Sequence, residues 1–233
     1  MPSGKKSKAA RSAARAGNPP PVRSKGGAPT TGWLGGRLFW FGAGGVVIVT
    51  AVIVLAVSLS SGGGGSKPVY VDFGAVAGLQ NGPPPWNNGD GSLQTNLTTV
   101  HLDPLAQEAL AFHIHQHLDV YVNGKHVAVP PLIGIDDNTF VTEMHTHDTS
   151  GVLHIESAKN RPYTLGQFFG EWAVRLTGSC LGRYCGSLHW WLDGVRQTGN
   201  PAQLVLKAHQ EIVIAAGKAP AHVPSSYKWP AGE

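Results

Sequence analysis

Six imidazoles are crowded into two short stretches of this chain, and most stand two residues apart. Residues 112–124 read FHIHQHLDVYVNG and carry His113, His115 and His117; residues 144–157 read MHTHDTSGVLHIES and carry His145, His147 and His154. The whole chain of 233 residues has 11 histidines. Alternate residues of a β-strand point to the same side, with Cα atoms about 6.6 Å apart. Two imidazoles at that spacing can converge on one ion, and a third donor from a neighbouring strand completes a site for zinc or copper. Nitrogens about 2.0–2.1 Å from one zinc lie within about 4–5 Å of one another. The metal ligands expected on this basis are His113, His115, His145, His147 and His154, with His117, Asp148 and Glu156 as secondary candidates. His101, His189, His209 and His222 are expected to be structural or exposed.

The pattern around these histidines is that of strands. Phe112, Ile114, Leu118, Val120 and Val122 alternate with His113, His115, His117, Asp119 and Tyr121, a period of two with one apolar face. Asn123-Gly124 predicts a type I′ hairpin. Matching the apolar faces sets Val122 opposite Lys125 and Val120 opposite Val127, and brings His126 opposite Tyr121. In the second stretch a turn at residues 148–151 pairs Met144 with Ile155, His145 with His154, Thr146 with Leu153 and His147 with Val152. Glu143 then falls opposite Glu156. That register gathers His145, His147, His154 and Glu156 on one face, where the two hairpin faces can also meet around a single site.

Elsewhere the signals are mixed. Residues 81–92, NGPPPWNNGDGS, read as loop. Residues 103–112 predict a short helix with Asp103 as N-cap and Pro104 at its first position. Residues 163–174 predict the principal helix, with Thr164 and Gln167 as a capping box and an apolar stripe of Leu165, Phe168, Phe169 and Trp172. A hairpin around Asp193-Gly194 and two short strands within 203–217 follow. The fold class expected is α+β: a small antiparallel or mixed sheet of hairpins with one principal short helix.

The domain sits behind an apolar run. Residues 38–59, opening with Leu38 and closing with Leu59, carry no charge. As a helix they would reach about 33 Å, enough to cross a bilayer core. A cleaved signal peptide is the alternative. Residues 1–37 hold eight basic residues and no acid, so the positive-inside rule places them in the cytoplasm and residues 60–233 outside. The remaining ten basic residues oppose all 14 acidic ones, so the pI near 9.1 belongs to a disordered tail and implies no nucleic-acid partner. The expected organisation is a cytoplasmic tail (1–37), a transmembrane helix (38–59) in the lipid bilayer, a Gly/Ser linker (60–68), an extracytoplasmic domain (69–217) and a frayed tail (218–233). The only cysteines, Cys180 and Cys185, predict a short-loop disulfide in an oxidising compartment, with metal binding by the thiolates as the alternative.

The motifs HIHQH before YVNG, then HTHD, GVLHIES and TLGQFF resemble those of an uncharacterised bacterial family of membrane-anchored extracytoplasmic proteins. The resemblance covers roughly residues 110–216 and implies a folded outer domain; it carries no activity. Cupins follow His-x-His closely with Glu, whereas here Asp148 adjoins the second pair and Glu156 follows. Amidohydrolases need a barrel too large for this domain. Three functional readings remain. The first is an extracytoplasmic domain binding zinc or copper. The second is a metal-dependent hydrolase with a three-histidine site and Glu156 or Glu143 as base. The third is an envelope interaction module without metal.

Overall fold

A computed structural model of the protein describes residues 66–109, 111–136 and 139–230. The basic tail and the apolar run at 38–59 lie outside the described residues. Among the described residues, no helix is long and apolar enough to cross a membrane. In chain order the elements are helix α1 (Asp90–Val100), strands β1 (Pro104–Leu105), β2 (Phe112–Val122), β3 (Lys125–Val127), β4 (Ile135–Asp136), β5 (Phe140–Thr142), β6 (Met144–His145) and β7 (Val152–Ser157), then helix α2 (Leu165–Glu171). Strands β8 (Cys180–Leu181), β9 (Tyr184–Cys185), β10 (Leu188–Leu192), β11 (Val195–Gln197) and β12 (Glu211–Ala216) complete them, with a 3-10 turn at Pro201–Gln203 before the last. The fold is α+β.

The main sheet runs β11-β10-β12-β2-β7-β6, with β3 beside the far half of β2. The β2–β3 hairpin has the register set by its apolar faces: Val120 opposite Val127, Tyr121 opposite His126, Val122 opposite Lys125. Its turn residues Asn123 and Gly124 both have positive φ, 51° and 78°, as a type I′ turn requires. The β10–β11 turn repeats this at Asp193 and Gly194. The β6–β7 register also pairs Met144 with Ile155 and His145 with His154. It ends there, however. Thr146 turns to the 130–133 loop, where its N–H donates to the Ile133 carbonyl at 3.1 Å and its hydroxyl to the Pro130 carbonyl at 2.9 Å. The expected pairs Thr146–Leu153 and His147–Val152 do not form.

One face of the sheet is apolar and carries both helices. Leu118, Val120, Leu153, Ile155, Ile212 and Ile214 are fully buried there against Leu165, Phe168, Phe169 and Trp172 of the α2 segment. A helix of seven residues is too short to persist alone. Its stability comes from these side chains, at about 1.5–3 kcal/mol for each one buried. The capping box is present, with the Thr164 N–H donating to Gln167 Oε1 at 3.0 Å.

The stretch before β2 departs from expectation. Residues 103–112 form no helix; Pro104 and Leu105 pair with Thr142 and Val141 of β5 instead, which satisfies their backbone from a neighbour. A second helix, α1, lies at Asp90–Val100, partly in the expected loop. It buries Leu93, Asn96, Leu97 and Val100, and Asn96 ties it to Ala77 through bonds of 2.8 and 3.1 Å. Residues 203–217 give one strand, β12, rather than two; Val205 makes only a single bridge to Thr164. The segment from Lys218, expected to fray, lies back across the polar face. Ala219 and Val223 pack with Trp191, Val213 and Ala215, and the Tyr227 ring stacks on His117 at 4.0 Å.

Candidate metal centre

Strand β7 lies between β2 and β6, and the histidines meet through that arrangement. His113 is opposite Glu156, His115 opposite His154, and His145 opposite His154 from the other side. The two His-x-His pairs therefore flank a His-x-Glu on the middle strand. Ring centroids of His115 and His147 each lie 4.5 Å from that of His154, and His145 lies 5.4 Å from it. His113 Nε2 is 2.9 Å from His115 Nε2 and 3.1 Å from Glu156 Oε1. One ligand atom each from His113, His115, His154 and Glu156 falls within 4.8 Å of the others, and so does one each from His145, His147, His154 and Glu156. These buried His/Glu groupings can hold a metal ion.

The floor of the cluster is buried. His145 has no exposed surface. Its Nδ1–H donates to the Thr142 carbonyl at 3.1 Å, which fixes the tautomer and leaves a bare lone pair on Nε2. That atom is buried without a hydrogen-bond partner, as are His154 Nδ1 and Glu156 Oε2. Burial draws the His145 pKa down to about 4, helped by the neighbouring imidazoles. Burial and then His145 and His147 bring His154 to about 3. Both rings are therefore neutral at pH 7 and competent to ligate. The rim is open: the side chains of His113, His147 and Glu108 are 36%, 43% and 47% exposed. Glu108 Oε1 stands 3.5 Å from His147 Nε2 and 4.0 Å from His145 Nε2.

The supports come from outside the sheet. Glu143, a candidate base, is absent from every such grouping among the described residues. Its backbone carbonyl does accept from Glu156 N–H at 2.9 Å. Its carboxylate, however, accepts from Ser157 Oγ at 2.7 Å, Tyr163 OH at 2.8 Å, Asp103 N–H at 3.3 Å and the Arg161 guanidinium. It is a buried brace that ties the end of β7 to the segments around Asp103 and Arg161–Tyr163. Glu171 is a second brace. The Thr142 hydroxyl has one proton for two oxygens, the Met144 carbonyl at 2.5 Å and Oε2 of the buried Glu171 at 2.8 Å. Burial pushes the Glu171 pKa well up, in agreement with a protonated carboxyl. Gly151 closes the β7 entry. It has φ 89°, and a Cβ there would come within 2.7 Å of the Leu118 carbonyl.

Two secondary candidates, His117 and Asp148, stand outside the two groupings around His154. His117 has both nitrogens engaged: Nδ1 with the Glu211 carboxylate at 3.0 Å and Nε2 with the Ser150 carbonyl at 2.9 Å. With Asp119 and Glu211 it forms a third grouping with metal-ligand spacing, separate from the main cluster. Burial opposes a charge on its ring, but the hydrogen bond and charge of Glu211 outweigh it and raise the pKa. Asp148 is exposed, and its Oδ1 caps the turn by accepting from Ser150 N–H at 2.8 Å. Conversely, Glu108 and Glu211 were not foreseen. Both reach the polar face through contacts distant in sequence. Glu211 arrives because β12 pairs parallel to β2 and sets it opposite His117; no turn fixes such a register. Cys180 and Cys185 form a disulfide across the β8–β9 hairpin, with Cα atoms 4.1 Å apart.

Comparison of the chain with protein-family models, with curated proteins and with solved structures gives no match in any of the three.

Proposed function

We propose that this is a membrane-anchored protein whose outward-facing domain binds a transition metal, zinc or copper, at the clustered histidines of β2, β6 and β7. One observation supports the reading above the others. His145 donates one nitrogen to a backbone carbonyl and holds the other buried, neutral and without a partner. A buried polar atom left unpaired costs about 1–3 kcal/mol, and here three belong to residues of one grouping. A cation would satisfy all of them. A carbonyl that orients the far nitrogen is also the usual outer support of a metal-bound histidine. Binding is favoured over hydrolysis because the bases considered are committed: Glu143 braces the core and Glu156 is itself a ligand. The anchor is the apolar run 38–59, with the basic tail in the cytoplasm.

The test is elemental analysis of the full chain purified in detergent without chelator, followed by zinc and copper titration of stripped protein. Bound zinc or copper at stoichiometric level is expected. His145→Gln with His154→Gln should weaken it by more than the roughly 10–100-fold that loss of an outer support costs. Parent and variant binding equally weakly would defeat the proposal.

A further inference from the structure

Seven side chains converge where β2, β7 and β6 run side by side: five imidazoles and the carboxylates of Glu156 and Glu108. A tetrahedral ion takes four ligands. The donors also divide. His113 and His115 join His154 and Glu156 in one grouping; His145 and His147 join the same two residues in the other. The ring geometry repeats the division. Within each His-x-His pair the rings stand edge to face, at 4.6 Å and 78° for His113 and His115 and at 4.8 Å and 79° for His145 and His147. The inner member of one pair, His115, and the outer member of the other, His147, each stand edge-on to His154 at 4.5 Å. Strand β7 is thus an axis with near-equivalent donor sets on its two sides.

Resting on the metal-binding reading above, we infer that the centre is dinuclear: it takes two divalent transition-metal ions, one on each side of β7. The first is held by His113 and His115, the second by His145 and His147 with Glu108 at its solvent side. Glu156 is the shared ligand. Its Oε1 faces His113 at 3.1 Å and His154 at 3.6 Å, while its Oε2 is buried with no partner. The two oxygens of one carboxylate can serve two ions about 3.5–4 Å apart, the separation found in two-metal sites. A single tetrahedral ion would leave three of the seven donors without a task.

The experiment uses the full chain in detergent, stripped of metal and then equilibrated with zinc alone or copper alone. Residues 1–65 contain no His, Cys, Asp or Glu, so the tail adds no ligand. Two zinc ions per chain are expected. His113→Ala with His115→Ala should retain one, and so should His145→Ala with His147→Ala. In the copper-loaded parent, electron paramagnetic resonance should show a half-field signal from two coupled Cu²⁺ ions, which needs no variant to fold. One ion per chain, or loss of all metal in either double variant, would overturn the dinuclear centre and leave the metal-binding reading standing. Two ions without magnetic coupling would place the second elsewhere and also overturn it. No bound metal at all would remove both.

Discussion

A histidine can be neutral because water leaves it so, or because the fold forbids the alternative. His145 and His154 are of the second kind, and this has a measurable pH signature. The folded ring of His145 resists protonation down to about 4, while the unfolded chain takes up that proton near 6.5. Between those values the unfolded state binds more protons, so stability increases with pH and is lost on acidification. His145→Gln removes this dependence. Between pH 6.5 and 4, urea denaturation of the metal-free parent should show a stability loss steeper than the variant's by up to about 1.4 kcal/mol per pH unit. Equal slopes would mean that the ring is not held neutral. Glu171 has the opposite sign. Its folded pKa is raised, so the folded state keeps a proton that the unfolded state releases above about 4.5. Compared with Glu171→Gln, which stays neutral at every pH, the parent should lose stability as pH climbs above about 5, a difference superimposed on the His145 trend that both proteins share. The variant's advantage over the parent should therefore widen with pH.

At the level of elements, what the sequence could show was whatever is local. The Asn123-Gly124 and Asp193-Gly194 turns, the Thr164 capping box and the pairing of His145 with His154 each depend on residues close in the chain, and each was legible. Helix α1 was not. Its Leu93, Leu97 and Val100 do keep helical spacing, but Gly91, Asn96 and three threonines carry poor propensity, and burial decided the matter. The same limit applied to the candidate site. The histidines are found by spacing, but Glu108 and Glu211 arrive from distant segments and leave no local pattern. The β8–β9 hairpin offers a clean element-level check. Cys180→Ser with Cys185→Ser should cost about 2 kcal/mol, the loop entropy of so short a closure, with metal affinity unchanged. The C-terminal segment is another. Ending the chain after Gly217 removes the rings on His117 and His209 and uncovers Trp191. A loss of about 2–4 kcal/mol in urea denaturation is expected.

At the largest scale, the pairings of the central strand differ in sequence separation. Strand β2 makes its antiparallel contacts with β3 and β7 over short spans of chain, yet its other edge waits for β12, about 90 residues on. The histidine face can thus gather before the sheet closes, and closure then brings the final segment across it. Orientation is tested on intact spheroplasts, where added protease should digest residues 60–233 and spare the tail; the reverse pattern would invert the proposed topology. The segment that crosses the polar face ends close to the donors, with the Trp229 indole 6.4 Å from the His115 ring. Copper(II) quenches an excited indole at such range, so copper entering the proposed centre would report itself optically. Its tryptophan emission should dim as copper enters, and Trp229→Phe should lose the steepest part of that response while binding as much metal as before.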